Sequence, residues 1–239
     1  MLVELARSFR HLVYPAVCAR CDELASDPDA EFCAACARGL TDDTHFTCPR
    51  CTSAVGEHAD LSAGCPQCWD ARYHFDSAFR LGPYDGVLRD TVLAMKSRSG
   101  EVLAACVGRL WARHHASRFR SLGVQVVIPV PLHWSRRWAR GHNQCEGLSA
   151  AIARELKVPH RPGWLRRVRR TPYQTGLVAS ARPDNVRGAF RARRLARLAG
   201  FKVLLIDDVL TTGSTASEAA RALKDAGAQS VHVAVLAHR

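Results

Sequence analysis

The sequence has 239 residues, 47% of them hydrophobic, with 34 Lys plus Arg against 22 Asp plus Glu and a formal charge of +12. This length suits one full α/β domain and a small satellite, and the charge favours an anionic partner such as a phosphate ester or a nucleic acid. No window approaches the roughly 18 apolar residues of a spanning helix, and Glu4, Arg7, Arg10 and His11 break up the apolar residues of the N-terminus, which excludes a secretory leader; a soluble cytoplasmic protein without membrane insertion is expected.

In chain order, Met1 to about Tyr14 reads as a short helix, with Leu2, Leu5, Phe9 and Leu12 on one side and Pro15 as its stop. Residues 18–68 then lack a long apolar period and carry four Cys-x-x-Cys pairs: Cys18/Cys21, Cys33/Cys36, Cys48/Cys51 and Cys65/Cys68. A reducing compartment argues against disulfides. A two-residue gap lets both thiolates of a tight turn face one tetrahedral ion, so eight thiolates suffice for two structural Zn²⁺ sites. Neighbouring pairs, separated by eleven and thirteen residues, give the simplest assignment; an interleaved one stays open, and His45 and His74 are near enough to replace a ligand. Filled sites of this kind leave no open position for catalysis. Residues 1–74 are therefore expected to form an N-terminal helix and a double zinc module that needs its metal to build a core. Cys106 and Cys145 stand alone and read as buried small hydrophobes.

Residues 75–239 read as a second domain. Leu81-Gly-Pro-Tyr84 suggests a turn into a helix near Val87 to Lys96, and a further helix is expected from Glu101 to Phe119. Short branched apolar runs then alternate with helical ones: Val124 to Val130, Asn143 to Leu156, Lys202 to Ile206, Thr215 to Ala226 and Val231 to Leu236. Such alternation predicts βαβ units and a mostly parallel sheet. The stretch from Arg161 to Arg197 interrupts it with eleven arginines and one acid, Asp184, and reads as an active-site loop or hood. With only four lysines in the chain, a general compositional preference for Arg and Ala is the alternative account of that charge.

Two runs carry chemistry. In Val203-Leu-Leu-Ile-Asp207-Asp208-Val-Leu-Thr211-Thr212-Gly213-Ser214-Thr215, a buried strand ends on two carboxylates, and ligands of open α/β sheets bind at that edge. Four hydroxyl residues and a glycine follow, leading into a helix whose N-terminus favours a phosphate dianion. Thr215 and Glu218 have capping-box spacing. Paired acids beside a phosphate loop suit a ribose 5-phosphate, with its vicinal hydroxyls on Asp207 and Asp208. The second run, Val127 to Gln144, follows another strand and contains His133, Arg136, Arg137, Arg140, Gly141, His142 and Asn143. Its guanidinium groups suit a pyrophosphate; Asn143 and Gln144 are placed to cap the next helix and reach a ligand. Alone, this run reads equally as an exposed basic loop.

The first run resembles the PRPP-binding motif of type I phosphoribosyltransferases, PRPP being 5-phosphoribosyl pyrophosphate. The whole chain resembles the ComF family, which has a Pro-x-Pro-Leu-His strand end, an Arg-Gly-aromatic-Asn-Gln segment and paired cysteines in a zinc-ribbon region. Tyr84, Gly86, Lys96, Thr171, Gln174, Arg182, Asn185, Val186 and Phe190 follow the same pattern; His142 replaces the aromatic residue and Leu210 a β-branched one.

The resemblance implies a type I phosphoribosyltransferase fold behind a double zinc ribbon. It also implies Mg²⁺-dependent displacement of pyrophosphate from C1 of PRPP by a nitrogen acceptor. Asp207 and Asp208 would hold the ribose, Thr211, Thr212, Gly213, Ser214 and Thr215 the 5-phosphate, and Arg136, Arg140, Gly141, Asn143 and Gln144 would face the pyrophosphate. No residue identifies the acceptor base or a general acid. The family's association with DNA uptake implies a different role, handling of single-stranded DNA alongside DNA-uptake proteins, with the fold kept as a binding module. For that role Trp164, Tyr173 and Phe190 are the candidate stacking surfaces among the arginines of 161–197.

Overall fold

Strands that are apolar on both sides need helices on both sides, and this chain supplies them. The computed structural model describes residues 16–27, 29–62, 64–169, 186–194 and 196–239. The expected helix over Met1 to Tyr14 lies outside the described residues, as do Thr171, Tyr173, Gln174, Arg182 and Asn185. In chain order the elements are α1 (Ala34–Thr41), β1 (Phe46–Thr47), β2 (Ala54–Val55), β3 (Ser77–Pro83), α2 (Gly86–Ala94), α3 (Gly100–His114), α4 (Ala116–Ser121) and β4 (Val126–Pro129). There follow α5 (Trp134–Arg140), α6 (Gln144–Leu156), β5 (Leu165–Arg167), β6 (Phe190–Ala192), β7 (Lys202–Leu210), α7 (Ser214–Asp225) and β8 (Ser230–His238).

The main sheet has the order β3-β8-β7-β4, and all three pairings are parallel. Side chains alternate faces along each strand. Leu204 and Ile206 of β7, with Val127, Ala234 and Leu236, enter one core beside α2, α3 and α6. Val203 and Leu205, with Val126, Ile128, Val231, Val233 and Val235, enter the other beneath α7 and the β5–β6 ribbon. Each run of branched residues is thus divided between two cores, which explains why it reads as continuous. On the first face α3 and α6 approach closely: a Cβ at Gly108 would lie 2.9 Å from Ala151 Cβ and from the Leu148 backbone.

The cysteine-bearing segment is packed onto this framework. Cys18, Phe32, Cys33, Cys36 and Leu40 share the first core with Leu81, Leu88 and Val92. Cys48, Cys51, Cys65 and Cys68 form a small core of their own with Val55, Leu61, Ala71 and Tyr73. Arg80 of β3, 6% exposed, ties that second module to the sheet. Its Nε and Nη2 donate to Asp43 at 2.7 and 3.0 Å, and its Nη1 donates to the Thr52 carbonyl at 2.9 Å. A buried guanidinium is tolerable only with its donors answered in this way.

Four expectations are corrected. Leu81 to Pro83 belong to strand β3, not to a turn. The long helix expected to Phe119 breaks at His115 into α3 and α4, where Trp111 meets Phe119 edge-on at 6.0 Å. β7 continues through the acids to Leu210 instead of ending at Ile206. Finally, α7 is not capped by a Thr215/Glu218 box: its N-cap is Gly213, and Glu218 accepts from Gly188 N at 2.6 Å and pairs with Arg221.

Candidate functional site

β7 has two neighbours of unequal length, and that places the acid pair. Pairing with β4 ends at Pro129–Ile206, while pairing with β8 runs on to Leu210–His238. Asp207 and Asp208 therefore lie in the strand, at the point where its β4 side opens. Two segments converge on them. Lys96, in the turn after α2, places Nζ 3.1 Å from Asp208 Oδ2. Gln144 at the start of α6 donates to the same oxygen at 2.8 Å, and the Cys145 thiol donates to Asp207 Oδ1 at 3.6 Å.

The two carboxyls are held differently. Burial and the adjacent Asp208 charge push Asp207 up to about 7. Burial acts on Asp208 in the same direction, but Lys96 and the Gln144 amide outweigh it and hold that carboxyl below its ordinary value. The pair thus takes up its first proton near neutral pH, on Asp207, while Asp208 stays ionised. Burial and the two nearby acids drive the Cys145 thiol far above its usual range, so it is a neutral donor here and no nucleophile.

Beyond β7, Thr211 to Thr215 turn the chain into α7. Gly213 takes φ +73°, and a Cβ there would lie 2.7 Å from Tyr73 Cε1, so both backbone and space demand glycine. Thr212 and Ser214 hydroxyls meet at 2.8 Å, and no side chain caps the helix. Hydroxyls and first-turn amides thus gather on one strand-to-helix turn, the kind of donor set that suits an anion. Two residues of the second module support this turn. Tyr73 packs on Gly213, stacking on Phe75 at 4.6 Å. Ser53 Oγ lies 3.3 Å from His238 Nε2, and the His238 ring in turn bonds to the Thr211 backbone. Burial holds His238 down at about 4, so this bridging imidazole is neutral.

Of the residues expected to face pyrophosphate, Gln144 is brought to the acid pair. Asn143 is 3% exposed and committed to structure: its Oδ1 accepts from Cys145 N and its Nδ2 donates to the Val130 carbonyl. Gly141 closes α5 at φ +84°. Arg136 and Arg140 ride on α5, and the charges of Arg136 and Asp207 both reach Arg167 of β5. His142 does not offer a stacking face, being buried with its Nε2 on the Met95 carbonyl at 3.0 Å. Among the stacking candidates, Phe190 is buried and Trp164 packs edge-on against Phe201. Lys96, Cys145, Arg167, Tyr73 and His238 are the neighbours that sequence spacing missed, since each comes from a different element.

The eight cysteines form two clusters, each pairing neighbouring knuckles, with all four Sγ atoms within 4.8 Å of one another. Sulfur separations of 3.7 and 3.8 Å in the first cluster and 3.4 to 3.7 Å in the second suit a tetrahedral thiolate site, whose edge is about 3.8 Å for metal–sulfur bonds near 2.3 Å. Both clusters are therefore able to chelate a metal. His45 pairs instead with Asp43, and the His74 amide donates to Ser217. The clusters repeat one plan. Burial of Cys18 is outweighed by the amides of Cys33, Arg20 and Cys21, which hold it at about 6; burial of Cys48 is outweighed by those of Cys51, Arg50 and Cys65, which hold it at about 7.

A parallel sheet, an acid pair and a hydroxyl-rich strand-to-helix turn behind two four-cysteine modules define a protein of the phosphoribosyltransferase fold with an N-terminal metal-binding region. The phosphoribosyl transferase domain family matches residues 142–239. The chain belongs to the ComF family. Competence protein F of Haemophilus influenzae is 31% identical over 189 residues, 77% of this chain and 82% of that protein. DNA utilization protein YhgH of Salmonella typhimurium is 31% identical over 226 residues, 93% and 96% of the two chains. Competence protein ComFC of Bacillus subtilis is 24% identical, covering 90% and 91%.

Proposed function

We propose that this protein handles single-stranded DNA during DNA uptake or utilisation in the cytoplasm, keeping the phosphoribosyltransferase fold as a binding module. The observation that carries this reading is the likeness, over 93% of the chain, to a protein named for DNA utilisation. The β5–β6 ribbon supports it. Arg166 and Arg191 are exposed directly across from each other, an arrangement that costs stability unless an anion lies between them. Zn²⁺ would fill each cysteine cluster. Asp207 and Asp208 would accept hydroxyls of a ribose 5-phosphate such as that of PRPP, Thr211 to Thr215 would hold its phosphate, and Arg136, Arg140, Gly141 and Gln144 would face the pyrophosphate with Mg²⁺.

Anisotropy with labelled single-stranded DNA tests the reading. Affinity should fall steeply with salt, and should drop about ten-fold or more when Arg166, Arg167, Arg169 and Arg170 are neutralised together. A salt slope near zero, or no binding, overturns it.

A second reading, transfer of phosphoribosyl to a nitrogen acceptor, is supported by the acid pair beside the phosphate turn. Calorimetry should find PRPP binding with Mg²⁺ that is lost in the folded Asp207→Asn, Asp208→Asn double variant. Pyrophosphate release with one base from a panel would then favour the enzyme. Binding without release across the panel favours the binding module.

A further inference from the structure

The most exposed aromatic surface among the described residues is not in the arginine-rich stretch. Trp134 and Trp138 are 69% and 85% exposed, and they lie one turn apart on α5, a seven-residue helix with no buried residue. Exposing two indoles to water is unfavourable for a helix that buries none of its residues. The remaining residues of α5 are Ser135, Arg136, Arg137, Ala139 and Arg140, so three guanidinium groups share the helix with the indoles and no acid does.

The helix is held out from the body by its two ends. His133 caps its start, accepting from Ser135 N, and Gly141 turns the chain back at its end. The base of this excursion is closed by the Asn143–Val130 hydrogen bond, and Arg137 braces it through Glu146 at 3.2 Å. Gln144, four residues beyond the helix, touches Asp208, and Arg136 lies within electrostatic reach of Arg167. The platform is thus joined to the acid pair through the short segment that ends at Gln144.

We propose that α5 is a stacking platform for single-stranded DNA, with Trp134 and Trp138 as the base-contacting faces and Arg136 and Arg140 on the phosphates. This inference rests on the DNA-handling reading above. Indoles at i and i+4 are about 6 Å apart along the helix axis, room for a separate base on each, with the His133 ring beside Trp134 at 5.4 Å. A single strand offers unstacked bases and phosphates together, whereas a duplex offers only the phosphates. A lipid surface fits less well, because α5 has no stripe of aliphatic residues to bury.

The test uses the full-length metal-loaded protein with labelled oligothymidine, the same probe as a duplex, and vesicles of anionic phospholipid. Trp134→Ala and Trp138→Ala should each weaken single-strand binding about ten-fold while leaving the slope of affinity against salt unchanged, since stacking releases no counterions. Trp138→Tyr should recover most of the loss. Trp69→Ala removes a 68% exposed indole on the cysteine module and should change nothing. Indole fluorescence should be quenched by the single strand in the wild type and less so in each Ala variant. If the wild type binds single strands and both Ala variants bind equally well, the platform is wrong and the DNA-handling reading survives. If the wild type binds no single strand, both fall. Vesicle binding that depends on the two tryptophans, with single-strand binding indifferent to them, also overturns the platform.

Discussion

At the scale of the residue, the acid pair is where charge and position meet. A carboxyl raised to about 7 keeps in the fold a proton that the unfolded chain releases near pH 4. The folded state therefore binds more protons between about pH 4 and 7, so Asp207 makes stability fall as pH rises through that window and has no further effect above it. Asp207→Asn imitates the protonated acid and keeps an oxygen for the Asp208 amide, which donates to it at 2.9 Å. Urea unfolding should find this variant more stable than wild type at pH 8, by about 1 kcal/mol or more, with the gap shrinking toward pH 5. A gap independent of pH would mean that the carboxyl titrates normally. The pair was legible in the sequence because two acids directly following four branched residues have few other uses. Its partners were not: Lys96, Cys145 and Arg167 reach it from three different elements, and only the order of strands in the sheet brings them there.

At the scale of the element, the sequence marked apolar periods well and boundaries poorly, for reasons visible in the packing. β3 was missed because Gly82 and Pro83 read as a turn; β3 is an edge strand, where a terminal proline is tolerated. β7 was read as ending at its acids because carboxylates disfavour strands, yet Val209 and Leu210 carry the ladder with β8 onward. The capping box failed because Glu218 is occupied with Gly188 and Arg221, and the N-cap position is Gly213, which has no side chain to cap with. The pairing of neighbouring cysteine knuckles was the simplest of the open assignments and is the one found. The two clusters differ in one respect that spacing could not reveal. Cys21 is exposed, whereas all four cysteines of the second cluster are buried. Metal release to a colorimetric chelator should accordingly be biphasic, with the fast phase removed by Cys21→Ser and unaffected by Cys65→Ser. A single phase of two ions would contradict the difference in exposure.

At the scale of the whole molecule, the chain divides by composition near residue 74 but its contacts cross that point repeatedly. The first cysteine cluster shares a core with α2 and α3, and Arg80 reaches from the sheet into the second. No helix among the described residues is long and apolar enough to cross a membrane. The parallel sheet was readable from alternating periods; the seating of the cysteine modules was not, because it depends on single contacts such as Tyr73 against Gly213. That contact has a thermodynamic corollary. Tyr73 and, through His238, Ser53 support the Thr211–Thr215 turn on one side and belong to the second cysteine module on the other, so order in the module and order in the turn are tied through these contacts. Linkage makes such coupling mutual: zinc in the second cluster should raise affinity for a phosphate ester, and the ester should raise affinity for that zinc by the same factor. Zinc affinities from competition with a chelator, with and without ribose 5-phosphate, would show it, and Tyr73→Ala should erase the dependence while the first cluster's affinity stays unchanged. A zinc affinity indifferent to the ester in wild-type protein that still binds it would separate the two sites. Such coupling would make loss of metal from the second cluster felt first at the Thr211–Thr215 turn, before the parallel sheet itself gave way.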